Sequence, residues 1–185
     1  MEMKKLVKAL TVAGLLTFTG NSFAVTADGT LGATSTGTVD IEVDISDLVR
    51  ISNLVAMTGN VYTPGSAVTD STPACIYRNG ASNYEITATS SNGAGTNFFL
   101  NSGADTVLYD VTFDDGVGGP TDLNNAALES SFQDANQTSV DCSVGAGGSA
   151  TIAVSVPEND ATFNGLAEVP AATYTDELTI TVGPR

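Results

Sequence analysis

The feature that most constrains this chain is the spacing of its apolar residues. From Thr38 to Val182 they recur at every second position, in short runs rich in Thr, Val, Ile and Tyr. Gly, Asn, Asp, Ser and Pro separate the runs. A period of two places alternate side chains on opposite faces of a strand. Many such runs parted by turn residues are the signature of an antiparallel β-sandwich or barrel. The spacing of a helix is nearly absent, and its one weak candidate is Leu123–Phe132, "LNNAALESSF".

The pattern predicts strands at "TVDIEVDI" (38–45), "LVRISNLV" (48–55), "ACIYR" (74–78), "NYEITATS" (83–90), "TNFFL" (96–100), "TVLYDVTF" (106–113), "TSVDCSV" (138–144), "SATIAVSV" (149–156) and "YTDELTITV" (174–182). The expected core comprises Val39, Ile41, Val43, Ile45, Tyr84, Ile86, Ala88, Ile152, Val154, Val156, Leu178, Ile180 and Val182, with Leu108 and Val111. Leu108 and Val111 fall on opposite faces unless a bulge intervenes. Asp40, Glu42 and Asp44 alternate with the first apolar set, and three carboxylates on one strand face disfavour stray pairing.

The first 24 residues read as a secretory signal peptide. Lys4, Lys5 and Lys8 precede a short apolar run, and Ser22-Phe23-Ala24 supplies small residues for cleavage. The run is too short to span a bilayer, and no later run is long enough. Residues 25–185 then make one domain-sized chain. The expected route is secretion out of the cytoplasm.

The whole sequence carries 21 acidic residues against 6 basic ones and a formal charge of −15. Cleavage removes all three lysines and leaves Arg50, Arg78 and Arg185 as the only cations. Such a surface cannot neutralise phosphates, which argues against nucleic acid and anionic membranes. It has no His, which excludes Ser-His-Asp and Cys-His catalysis. Zinc ligands are lacking and no cofactor is implied. A carboxylate pair is the one catalytic option left, and no Trp is present to stack a sugar. The chain is therefore not expected to be an enzyme.

Cys75 and Cys142 are the only cysteines, and in an oxidising compartment they are expected to form one disulfide, free thiols being the alternative. Asp114, Asp115 and Asp122 lie in a Gly-rich stretch, "FDDGVGGPTD", and are a weak calcium candidate. Their spacing does not follow the calcium-loop pattern, and a solvated acidic loop is the plainer reading. "NQT" (136–138) has the form of a glycosylation acceptor but carries no weight in a bacterial chain.

Residues 25–37 form an N-terminal extension. Val25, Ala27, Gly29, Leu31 and Ala33 keep the strand period although the segment is rich in Gly and Thr. The rhythm breaks at Thr36-Gly37-Thr38 and resumes at Val39. An extra strand of the same domain and a loose tail both fit this segment.

Three stretches resemble subunits of chaperone–usher fimbriae, nearest to the spore-coat-protein-U-like (Csu-type, archaic) branch. They are "CIYRNGASNYEITATS" (75–90), "VLYDVTFDD" (107–115) and "AATYTDELTITV" (171–182). Ala172 stands where that branch usually has Gly, the chain ends "TVGPR" rather than on an aromatic residue, and Cys75 and Cys142 lie farther apart than a short-range bridge would place them. The resemblance implies an incomplete immunoglobulin-like sandwich, residues 38–185, that lacks its last strand. It implies a groove lined in part by Leu178, Ile180 and Val182 on the strand that closes the chain. A periplasmic chaperone would fill the groove first. After passage through an outer-membrane usher, the extension of another subunit would replace it, with Val25, Ala27, Gly29, Leu31 and Ala33 as donor side chains. The implied role is a structural subunit of an adhesive or biofilm-forming pilus. A monomeric secreted binding module for calcium or a glycan is the alternative.

Overall fold

The computed structural model describes residues 26–185. The leader and Val25 lie outside the described residues. The chain divides between Ile45 and Ser46 into two units.

In the first unit, β1 (Thr26–Ala27) and β2 (Thr38–Val39) pair antiparallel. Residues 40–45 belong to no ladder. The structure corrects the sequence reading here. Val39, Ile41, Val43 and Ile45 alternate as a buried strand does, yet they are 69%, 86%, 77% and 78% exposed. Alternation fixes which side chains share a face but does not provide a surface for that face to cover.

The second unit, Ser46–Arg185, is an antiparallel β-sandwich. One sheet has the order β3 (Val49–Ser52), β4 (Val68–Arg78), β10 (Ser149–Val156), β7 (Asp105–Asp114), β6 (Phe98–Ser102), with β8 (Thr121–Leu123) also paired to β7. The other has the order β11 (Leu178–Pro184), β5 (Tyr84–Ser90), β9 (Leu128–Phe132). A single 3-10 turn, Leu166–Glu168, accompanies them among the described residues.

Period-two alternation fills the core. Tyr84, Ile86 and Ala88 of β5 face Ile76, Ile152, Val111 and Phe113 of the larger sheet, and all are buried. Tyr84 stacks on Phe132 with centroids 5.5 Å apart, and Phe113 meets Phe132 edge-on at 4.7 Å. Such aromatic pairs contribute roughly 0.5–1.5 kcal/mol beyond area burial. β7 needs no bulge, because its inward set is Val107, Tyr109, Val111 and Phe113, while Leu108 takes the opposite face.

Three further expectations change. Leu123–Phe132 is not helical: it supplies the end of β8, a turn with Ala126 at φ 59°, and β9. Placing Phe132 against Tyr84 buries more apolar surface than a short isolated helix could. Residues 138–144 are a loop rather than a strand. β4 begins at Val68, earlier than expected, because it runs through Pro73. Ile76 donates its N–H to Gly148 beside β10, so the nitrogen of Pro73 faces the opposite side, where β3 pairs only Cys75–Arg78. No ladder bond is lost there, which is where a strand tolerates proline.

Candidate functional site: an open edge between the sheets

β3 and β11 are the terminal strands of their sheets, and they lie on the same side of the sandwich. β3 pairs only with β4, and β11 only with β5. Their Cα atoms approach within 8 Å, but no ladder joins them. Along this open side runs a row of half-buried apolar residues packed on the core: Val49 and Ile51 from β3, and Leu178, Ile180 and Val182 from β11. In a closed sandwich such positions are covered, so the two facing edges with half-buried apolar side chains border a shallow groove that is narrower than a strand. A strand bonded to both edges needs twice the 4.7–4.9 Å interstrand spacing, so the edges must part slightly to admit it.

The groove widens beyond Leu178 into a cavity of about 430 Å³ lined by Met57, Tyr62, Val68, Tyr174 and Leu178 among others. The Tyr62 hydroxyl donates to Glu158 Oε1 at 2.8 Å, and Gly65 N–H donates to the same oxygen at 2.7 Å, which fixes the loop at the mouth. Burial, with the Glu158 carboxylate beside it, raises the Tyr62 hydroxyl pKa.

At the opposite end Arg78 ties the two edges together. Its guanidinium is buried. Nε donates to Asp47 Oδ1 at 2.9 Å, just before β3, and Nη1 donates to the carbonyl of Arg185 at 2.7 Å, just after β11. Nη1 also bonds the Asn83 carbonyl, and Nη2 completes an ion pair with Asp47. The hydrogen bond from Arg78 holds the Asp47 carboxyl below its ordinary range, and Asp47 in turn raises Arg78. Asn79 continues the clasp: its N–H donates to Leu48, its side-chain oxygen accepts from Leu48 N–H at 2.7 Å, and its Nδ2 donates to Ser46 at 2.8 Å.

β11 is positioned by the segment before it. Asp176 accepts hydrogen bonds from the hydroxyls of Ser91, at 2.7 Å, and Tyr109. Thr175 exchanges backbone bonds with Asn101. Burial alone would raise the Asp176 carboxyl, but bonds from Ser90, Ser91 and Tyr109 outweigh it, and the net shift is downward. Tyr109 is driven well above its ordinary range by burial first and by Asp176 second.

Cys75 and Cys142 form a disulfide with Cα atoms 5.8 Å apart. It joins β4 to the loop that replaced the expected strand. Asn136 organises that loop: fully buried, it donates to Val144 and Gly147 and accepts from Thr138 N–H and Ser139 N–H. The amide of the "NQT" triplet is thus consumed in holding the loop. Asp141 accepts from Ser139 and Ser143, which lowers its carboxyl to about 2.

The acidic stretch is put to structural use. Asp114 accepts from Gly116 N–H at 2.8 Å, and buried Asp115 accepts from Val117 N–H and Gln133 N–H, both at 3.0 Å. Asp122 is exposed on β8 opposite Thr112. Among the described residues no three His, Cys, Asp or Glu are grouped to hold a metal.

Of the residues expected to act as donors, Ala27 is paired in β1, and Gly29, Leu31 and Ala33 lie exposed in the loop between β1 and β2. The groove residues that sequence reasoning did not assign are Val49, Ile51, Val68 and Tyr174. The run "LVRIS" carried the signal for the first two, since its alternation puts Val49 and Ile51 on one face and Arg50 on the other.

No protein-family model matches the chain, and no curated protein matches it. Among solved structures, it is similar to a chain from work on a chaperone–tip adhesin complex described as vital for synergistic activation of CFA/I fimbriae biogenesis. The similarity has a TM-score of 0.52 at 16% identity, and covers 74% of this chain and 41% of that one. This chain thus spans under half the length of its neighbour, and the likeness bears on architecture. The architecture is that of an immunoglobulin-like antiparallel β-sandwich.

Proposed function

We propose that this protein is a structural subunit of a surface fimbria, joined to its neighbours by strand donation, and that it belongs with the spore-coat-protein-U-like branch. The observation that carries the reading is a pair of complementary apolar features in one chain. One is the groove between β3 and β11, with its half-buried apolar row. The other is a segment, residues 38–45, whose four large apolar side chains alternate along the sequence and stand exposed. Each buries the other if the segment of one copy enters the groove of the next. Main-chain bonds to both edges supply affinity and the alternate side chains supply specificity.

This reading moves the donor from Val25–Ala33 to Val39–Ile45. The earlier positions offer one large apolar side chain, Leu31, beyond Val25. Val39, Ile41, Val43 and Ile45 offer four. At roughly 1.5–3 kcal/mol per fully buried aliphatic side chain, the later segment has the larger driving force. Residues 25–37 become a leading hairpin.

Self-insertion is disfavoured by the link between donor and domain. A hairpin back along β3 would have to turn within Ser46-Asp47-Leu48, and these residues are engaged with Arg78 and Asn79. A periplasmic chaperone strand would cover the groove before assembly, and an usher would direct export. The fibre would serve attachment or biofilm formation at the cell surface.

The test is light scattering after size-exclusion on the secreted chain, the Ile41→Ser/Val43→Ser variant, and a variant lacking residues 25–37. We expect detergent-resistant multimers from the first and third and monomers from the second. Stable monomers from all three, with equal melting temperatures, would replace this reading by a self-complete binding module.

A further inference from the structure

Three cations serve the sequence after the leader, and two are engaged. Arg78 is buried against Asp47, and Arg185 donates to the carbonyl of Ser130. Arg50 is different. It is exposed at the centre of β3, between Val49 and Ile51, which turn inward to the groove. Its partner across the β4 ladder is Tyr77, and the other side of β3 carries no strand. Among the described residues the one ion pair is Arg78–Asp47. Arg50 therefore projects its charge from the rim of the groove, at the edge an incoming strand must bond.

The segment that would enter carries the complementary order. Ile41-Glu42-Val43 repeats the apolar–charged–apolar pattern of Val49-Arg50-Ile51 with the opposite charge. In an antiparallel pair, setting Glu42 against Arg50 places Ile41 opposite Ile51 and Val43 opposite Val49. All four apolar side chains then point into the groove and both charges point to solvent. A slip by one residue would turn the apolar set outward and drive the acids into the groove. A slip by two residues preserves the faces, so apolar burial discriminates less against it. There Asp40 or Asp44 would stand against Arg50, so each of these registers keeps a carboxylate beside the guanidinium, and the charge selects the acidic face of the strand as a whole. On the far edge, β11 presents exposed Thr179 and Thr181 on its outward face, so no like charge opposes Glu42 from that strand.

We propose that Arg50 is the charge-selecting residue of the groove, favouring an acidic-faced strand from a second copy of this chain by setting its guanidinium against that strand's central carboxylate, Glu42. The inference rests on the strand-donation reading above. It makes the groove selective for strands with a carboxylate at the centre of their outward face, beyond a general demand for alternating apolar residues. An exposed cross-strand pair of this kind is worth a small factor in affinity and is weakened by salt.

The test uses the full chain carrying Ile41→Ser/Val43→Ser, so that its own segment does not compete, with and without Arg50→Gln. The probes are a peptide of residues 38–45 and the same peptide with Asp40, Glu42 and Asp44 amidated to Asn, Gln and Asn. We expect the acidic peptide to bind the Arg50→Gln protein about two- to fivefold more weakly at low salt, a difference that closes in high salt. We expect the neutral peptide to bind both proteins equally. Arg50→Glu should recover affinity for a peptide with Glu42→Lys. Equal weakening of both peptides by Arg50→Gln, or no weakening of either, would overturn the pairing while leaving strand donation intact. Failure of both peptides to bind either protein would remove strand donation and the pairing together.

Discussion

The Tyr109 hydroxyl of β7 donates to the Asp176 carboxylate two residues before β11. This bond joins the larger sheet to the approach of the edge strand, and its members come from the two motifs "VLYDVTF" and "TYTDEL". A buried hydroxyl and a part-buried carboxylate satisfy one another, and neither is left as an unpaired polar group.

Replacing Tyr109 by Phe keeps the ring and removes the donor. We expect a loss of about 1–2 kcal/mol, at the lower end for a bond to a charged group because Asp176 is only partly shielded. The effect depends on pH. Asp176 has its carboxyl lowered in the folded state, so its contribution is complete above the ordinary carboxylate value near 3.8 and is lost as pH falls through the folded value. Urea unfolding of both proteins between pH 7 and pH 2 should show the difference shrinking at the acid end. A constant difference across the range would show that the hydroxyl acts by packing.

Arg78→Ala should lower the melting temperature. It removes the donor to the carbonyls of Asn83 and Arg185 and the charge beside Asp47, and because these three residues are exposed, water replaces part of what is lost. Arg78→Lys keeps a charge but not the fork that reaches three partners, and should recover only part of the loss. Amide exchange at Val49–Ser52 should quicken in both, since the clasp anchors the start of β3. Unchanged exchange there would separate the clasp from the edge.

Removing the Cys75–Cys142 bridge frees a loop with a sequence separation of 67. On the chain-entropy model this costs roughly 4 kcal/mol. Urea unfolding of a Cys75→Ala/Cys142→Ala protein against the oxidised parent measures it. A shift below about 1 kcal/mol would mean that the unfolded chain is already compact around this loop.

Asn136→Ala removes a buried amide that serves four backbone groups. We expect a loss of about 2–4 kcal/mol, read by thermal melting. Gly148→Ala should fail in the same place: its φ is +78° and an added Cβ would lie 2.4 Å from the Ile76 carbonyl oxygen. Two independent substitutions with a common outcome would show that this loop, rather than a strand, packs the end of β4.

The sheets were legible in the sequence where alternation coincides with burial, as at Tyr84-Ile86-Ala88 and at Ile152 and Val156. Periodicity was misleading where burial is absent. Val39–Ile45 carries a strong strand pattern, yet among the described residues its four apolar side chains stand exposed. Residues 138–144 read as a strand from Val and Thr, but the side chain of Asn136 supplies bonds that a ladder would otherwise provide, and local chemistry won over propensity. Pro73 concealed the first half of β4, since a proline in a strand reads as a break until the side that lacks a partner is known. On the open side of the sandwich, the alternation that sets Leu178, Ile180 and Val182 on one face of β11 was legible. The other edge was not, because "LVRIS" shows two inward residues but not that β3 lies at the margin of its sheet.

Pro73 has one more effect. Beyond the end of β3, the outer side of β4 from Val68 to Ala74 carries no strand, and such a margin is a seed for disordered sheet growth. The proline breaks the donor series at the point where that margin begins. A ring without an N–H at that point takes one hydrogen-bond donor away from a margin that would otherwise be free to recruit a stray strand.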